Sequence, residues 1–182
     1  QPRSRGLGDV YKRQQAPGVS LRVRPLLTRD PRNLLTGSEL DAVIGYFPAV
    51  LAAIGSARMQ EGSVDQFANR RLYDGEYVCV MRAGHPLASV PLDLDAFCAA
   101  RHLLVSFSGR PFGFVDESLA ALGRSRRVVL TLNQFFTAGQ VVSQTDLLTV
   151  VPRHFVASTG IVSQLVVRPL PLDLPIVHVE LL

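Results

Sequence analysis

The sequence predicts an α/β protein with a mostly parallel sheet. Three observations carry that reading. A strand, helix, strand order opens the chain after residue 17. From His102 onward, strand and helix patterns alternate as βαβαβαβ. Apolar residues make up 47% of the 182-residue chain against 19% charged, the balance of a globular core rather than of a disordered polymer.

Val19, Leu21 and Val23 alternate with polar residues, which predicts a strand within PGVSLRVRPL. Asp30-Pro31 reads as a cap with proline at the first helical position, so RNLLTGS is a short helix ending near Gly37. ELDAVIGYF then holds a continuous apolar run, the mark of a buried parallel strand. PAVLAAIGSARM reads as a helix opened by Pro48, and EGSVDQFANR as a loop or weak helix. RRLYDGEYVCVMR is a strand with a turn or bulge at Asp74-Gly75. AGHPLASVP breaks regular structure, and the helix DLDAFCAAR follows.

HLLVSFSG is a buried strand, and VDESLAALG a helix stopped by Gly123. RRVVLTLNQF is a strand, TAGQVVSQT a helix, and DLLTVVP a strand ended by Pro152. RHFVASTG is a helix stopped at Gly160. LVVRPLP and IVHVELL are the last strands.

The first 14 residues stand apart. The only Lys of the chain, Lys12, sits in DVYKRQ. GAT-GTG-TAT-AAG-AGA-CAG encodes that string, which resembles a sequencing adaptor read in frame. Residues 1–14 are therefore expected to be foreign to the fold. They carry +3 of the formal +4 charge. The remainder is close to neutral, which excludes the broad basic face of a nucleic-acid binder. No apolar run reaches the roughly 20 residues of a membrane helix. Cys79 and Cys98 lie in apolar surroundings and form no CxxC pair. They read as buried reduced thiols, in keeping with a cytoplasmic protein.

Motifs of catalysis and cofactor binding are missing. No GxGxxG or GxxxxGK[ST] occurs. SFSG lacks the first glycine of a nucleophile elbow. His85, His102, His154 and His178 are scattered without metal spacing. Asp116 and Glu117 fit the first turn of a helix, where the dipole favours them. The expectation is no enzyme, no metal and no cofactor.

Geometry supplies the candidate site. Open α/β sheets bind ligands beyond the carboxyl ends of their strands. Those ends hold Gly45, Tyr46 and Phe47; Ser106, Phe107, Ser108 and Gly109; Asn133, Gln134 and Phe135; and Pro152. Hydroxyls and helix N-termini there could hold a carboxylate, and the aromatic rings could pack on an apolar body.

Residues 15–26, LLTGSELDAVIGYFP (34–48), RRLYDGEYVCVMRAGHPLA (70–88), HLLVSFSGRPFGFVDESLAALGRSRRVVLTLNQF (102–135) and DLLTVVPRHF (146–155) together resemble the effector-binding domain of LysR-type transcriptional regulators. The flavour is that of the branch sensing aromatic compounds and nodulation signals. The resemblance implies two Rossmann-like lobes similar to type II periplasmic binding proteins, joined by two crossovers acting as a hinge. The first lobe would hold 15–84 and 168–182, the second 85–167. On this resemblance a small effector, an aromatic acid, would bind between the lobes and control dimer and tetramer geometry. The resemblance places the DNA-binding helix-turn-helix, the first sensor strand and its helix, and a closing segment outside these 182 residues. It also marks 49–69 as longer than expected. The alternative is a solute-binding protein of transport on the same fold.

Overall fold

The structure is a computed structural model, and it describes residues 16–58 and 67–182. The expectation for residues 1–14, and that for EGSVDQFANR before Phe67, lie outside the described residues. In chain order the helices are α1 (Arg32–Thr36), α2 (Pro48–Arg58), α3 (Leu94–Ala99), α4 (Phe114–Ala121), α5 (Phe135–Ser143) and α6 (Arg153–Ser158). The strands are β1 (Ile44–Gly45), β2 (Arg70–Gly75), β3 (Tyr77–Arg82), β4 (Arg101–Val105), β5 (Arg127–Leu132), β6 (Leu147–Pro152), β7 (Leu165–Arg168) and β8 (Val177–Leu181). Short 3₁₀ turns cover Pro86–Ala88 and Val162–Gln164.

These strands form two sheets, one of three strands ordered β1-β8-β2 and one of five ordered β5-β4-β6-β3-β7. In the larger sheet β4 runs parallel to β5 and to β6, while β3 is antiparallel to both β6 and β7. β7 therefore shares the direction of β4, β5 and β6, and β3 alone opposes them. That is the mostly parallel sheet the sequence predicts, with one inserted strand. β6 is central, and all six of its residues are buried, as a strand covered on both faces must be.

Helices cover the two faces. On one, Val142 and Ala138 of α5 and Val156 of α6 pack with Val78, Val80, Leu103, Leu147 and Val151. On the other, Phe97 of α3 and Val115 and Leu119 of α4 pack with Cys79, Met81, Leu148 and Val150. The alternation of Val78/Val80 against Cys79/Met81 is the period of two that sends neighbouring strand residues to opposite faces.

The helix boundaries have local causes. Asp93 caps α3, its carboxylate accepting from Ala96 N at 2.7 Å. Gly123, at φ +67°, ends α4 in a left-handed residue, and Arg124 N donates back to Leu119 O at 2.8 Å. This is the glycine-terminated close predicted from the sequence. Gly139 in α5 is a close-approach position. A Cβ there would stand 2.5 Å from Thr159 Cγ2, and both residues are buried. Gly139→Ala is expected to lower stability by about 1–3 kcal/mol through overpacking, despite alanine's better helix propensity. Urea unfolding checks this, and a stabilised variant would contradict it.

Two expectations fail in the smaller sheet. Residues 19–24 form no strand, and Val23 is 91% exposed. Side-chain alternation makes a strand only where a neighbour supplies the ladder, and no described strand lies alongside. β1 is two residues long and antiparallel to β8, with Ile44 62% exposed, so it is not the buried parallel strand read from AVIGYF. The small core gathers Val43, Phe47, Val50 and Ile54, with Leu26, Leu35, Leu40, Phe67 and Leu182 against it.

β2 pairs with β8 in the small sheet, and β3, beginning two residues later, pairs with β6 and β7 in the large one. The chain thus crosses from one sheet to the other at Glu76. The apolar run Tyr77–Arg82 lies in the large sheet, where both of its faces are covered. The return path lies between β7 and β8, through residues 169–176.

Candidate functional site

A cavity of about 190 Å³ lies under α4, toward the carboxyl end of β4. Tyr77, Leu104, Phe114, Val115 and Val150 form its walls, Phe107 and Phe135 its sheet-end side, and Arg126 a polar patch. All of these residues belong to the five-stranded lobe. Sequence reasoning named Phe107 and Phe135 but not Tyr77, Phe114 or Arg126.

Arg126 precedes β5 and is drawn inward by Asp116. Its side chain is 1% exposed, and Nε and Nη2 donate to the two carboxylate oxygens of Asp116 at 2.8 and 3.1 Å. Asp116 also accepts from Gly113 N at 2.7 Å, tying down the start of α4. Burial pushes the Asp116 carboxyl up, but the hydrogen bond and charge of Arg126 outweigh it and hold the group below its ordinary value. Asp116, at the dipole end of α4, is therefore also half of an ion pair in which the arginine is buried and the carboxylate 19% exposed. Arg126 Nη1 is buried and has no hydrogen-bond partner among the described residues.

The groups nearby are neutral. Burial pushes the Tyr77 phenol up to about 12 and the Cys79 thiol up to about 12. His102 is fully buried, its Nε2 sits 2.7 Å from Phe97 O, and its ring meets Phe97 edge-on at 4.6 Å. Burial lowers its pKa from the ordinary 6.5 to about 4. The unfolded chain therefore binds a proton on this ring between pH 6.5 and 4 that the folded chain refuses. The contribution is fully present above pH 6.5 and is lost as pH falls through 4, roughly 3 kcal/mol in all. Urea midpoints should fall over that window and fall less in His102→Gln. Equal slopes in the two proteins would contradict the assignment.

Aromatic rings link this region to the small sheet. Phe107 meets Phe135 at 5.5 Å, Phe135 stacks on Phe155 at 4.8 Å, and Phe155 adjoins His154 at 4.4 Å. His154 meets Tyr73 of β2 edge-on at 5.3 Å. Next to this row, Arg153 holds Glu76, at the first crossover, through side-chain contacts of 2.6 and 2.8 Å.

The remaining sequence-named residues are distributed as follows. Ser106 N donates to Leu132 O at 2.7 Å, extending the β4–β5 ladder. Ser108 and Gly109 are exposed, and Gly109 takes φ +72°. Asn133 and Gln134 are exposed just before α5, and Gln134 occupies its N-cap without a side-chain cap bond. These positions, with Phe107 and Phe135, gather at the carboxyl ends of β4 and β5. Gly45 and Tyr46 are half-buried at the end of β1. Phe47 is 3% exposed in the small core, beneath Gly45, and Pro152 is buried opposite Tyr77 in the β3–β6 ladder. Both are packing residues here.

The histidines have structural partners. His85 Nδ1 accepts from Leu87 N at 3.0 Å, and His178 Nδ1 lies 2.6 Å from Asp74. Cys79 and Cys98 are both free, the first buried and the second half-buried. No group of three His, Cys, Asp or Glu among the described residues could hold a metal. No described helix is long and apolar enough to cross a membrane.

Two sheets joined by a double crossover define a two-lobed α/β fold. The sequence model for the LysR substrate binding domain matches residues 12–182. The chain belongs to that family. It is 29% identical over 169 residues to the HTH-type transcriptional activator NagR of Ralstonia sp, spanning 92% of this chain and 52% of the relative. It is 32% identical over 118 residues to the activator NahR of Pseudomonas putida, 65% of this chain and 35% of the relative. Among solved structures, a probable transcriptional regulator from Pseudomonas aeruginosa superposes with a TM-score of 0.75 at 26% identity, covering 91% of this chain and 52% of that one. The chain thus spans about half the length, or less, of the curated relatives it matches.

Proposed function

We propose that this chain is the effector-sensing part of a LysR-type transcription regulator working in the cytoplasm, not a transport solute-binding protein and not an enzyme. The observation that carries the reading is the match of residues 12–182 to the LysR substrate binding domain, with transcriptional activators among the relatives. The effector, on this reading, is a small aromatic acid. It lies between the lobes, on the edge formed by Ser106, Phe107, Ser108, Gly109, Asn133, Gln134 and Phe135, facing Gly45 and Tyr46.

Exposed N–H groups and hydroxyls before α5 would hold the carboxylate, and Phe107 and Phe135 would hold the ring. A ligand shifts the lobes only if it prefers one arrangement. The His154–Tyr73 contact, which reaches the small sheet, and the Arg153–Glu76 pair at the crossover are the contacts such a shift would alter. In the whole regulator, that change would alter how dimers and tetramers sit on DNA, which a helix-turn-helix outside this chain would contact.

The test is a DNA-binding assay of the whole regulator with and without effector. Ser106→Ala and Asn133→Ala should weaken the effector response about tenfold and leave operator binding unchanged. Loss of operator binding with normal effector affinity would overturn the site.

A further inference from the structure

We infer that the cavity beneath α4 is a second ligand site, selective for an uncharged single-ring molecule that carries one oxygen acceptor. It opens beside the proposed effector edge, sharing Phe107 and Phe135 with it, and its selectivity is set by Arg126, which that edge does not use.

The argument begins with charge. Arg126 is 1% exposed and already matched by Asp116 through two bonds of 2.8 and 3.1 Å. Tyr77 also lines this space and keeps its proton at any moderate pH. Arg126 and Asp116 together are neutral. An entering carboxylate would bring an unbalanced charge into a mostly apolar space, beside a guanidinium that Asp116 already matches, which is costly. A carbonyl or ether oxygen brings no charge.

The acceptor requirement comes from Arg126 Nη1. It is buried and unpartnered among the described residues, on a side chain that lines the cavity. A buried N–H without an acceptor loses its solvation with nothing in return. A neutral oxygen placed on it makes a charge-assisted bond, stronger than an ordinary one.

Size and lining set the rest. The volume is about 190 Å³, against roughly 150 Å³ for an apolar cavity that holds benzene. Tyr77 and Phe114 meet edge-on at 4.6 Å on one wall, and Phe107 and Phe135 at 5.5 Å close the sheet-end side. Rings in such pairs accept another ring edge-on or offset. Bound water is the competing occupant, but a stable buried water needs two to four polar partners. Arg126 is the only charged residue in the lining and the Tyr77 hydroxyl its only other polar side-chain group, so a water there reaches two side-chain partners at most, the low end of that range.

The test uses the 182-residue chain and three probes of similar shape: acetophenone, ethylbenzene and benzoate at pH 7. Methyl signals of Leu104, Val105 and Val150 in a carbon-13 spectrum report occupancy at the site in the unaltered protein. Acetophenone should shift them saturably and bind roughly ten- to a hundredfold more tightly than ethylbenzene, the difference one charge-assisted bond makes. Benzoate should shift them at least about tenfold more weakly than acetophenone does. Val150→Phe, which fills the space, should abolish the acetophenone shift of Leu104 and Val105. Ser106→Ala should leave it unchanged. Benzoate binding as well as acetophenone would overturn the charge argument, and ethylbenzene matching acetophenone would remove Arg126 from the site. Failure of all three to move these methyls would leave the cavity to water and end the proposal, whatever the edge at Ser106 does.

Discussion

Asp116→Ala should destabilise the protein by about 3–5 kcal/mol, because it strands a guanidinium that is 1% exposed. The loss has two parts. Arg126 keeps its charge and loses both carboxylate oxygens. Gly113 N loses its acceptor at the first turn of α4. The double variant Asp116→Leu with Arg126→Met should recover most of the loss, since replacing both ions with apolar groups is often neutral. Urea unfolding of the four proteins gives the coupling. Additive losses in the double variant would mean that the pair does not act as a unit. Asp116 also adds to the acid sensitivity described for His102. Its folded value lies below its ordinary one, so its contribution is present above that ordinary value and is lost as pH falls below it.

Phe97→Ala should cost a similar amount, about 3–5 kcal/mol, through the cavity it leaves. Phe97 is wholly buried and anchors α3 to the face shared with α4. Its ring meets His102 edge-on at 4.6 Å, so the substitution also removes a packing partner of a buried imidazole, while the backbone carbonyl 2.7 Å from His102 Nε2 stays. Phe97→Leu keeps most of the volume and should lose less than half as much. Equal losses for alanine and leucine would show that ring geometry, not volume, governs the site.

Much of the larger lobe is legible in the sequence because its signals are local. Leu147–Pro152 is an unbroken apolar run, and it is the central strand. Gly123 and Gly160 mark helix ends and take positive φ. Pro48 opens an eleven-residue helix. The smaller lobe is less legible because its pairing is not local. Val19, Leu21 and Val23 have strand periodicity, yet periodicity does not tell a chain which strand will pair with it. Ile44–Gly45 pairs with Leu181 and Glu180, more than a hundred residues away, and nothing in AVIGYF announces an antiparallel partner.

The site divides the same way. Ser106, Phe107, Asn133 and Phe135 follow strands, so the rule for parallel sheets finds them. Arg126 sits in RSRR, a string that reads as solvated charge. Only the fold shows that the middle of its three arginines turns under α4 to reach Asp116 ten residues earlier. Tyr77 was hidden for a related reason. It opens a strand that looks like the continuation of RRLYDG, while the chain in fact changes sheets at Glu76. Phe47 follows a strand, which makes it a candidate ligand contact, and its ring lies against Gly45 in the small core.

Binding of a small molecule is the claim on which the rest depends, and calorimetric titration of the chain against a panel of small aromatic acids tests it most directly. The account predicts saturable binding of at least one acid, with a negative heat-capacity change from apolar burial and about tenfold weaker binding in both Ser106→Ala and Asn133→Ala. No heat of binding from any acid in the panel, or a bound acid indifferent to both substitutions, would contradict it.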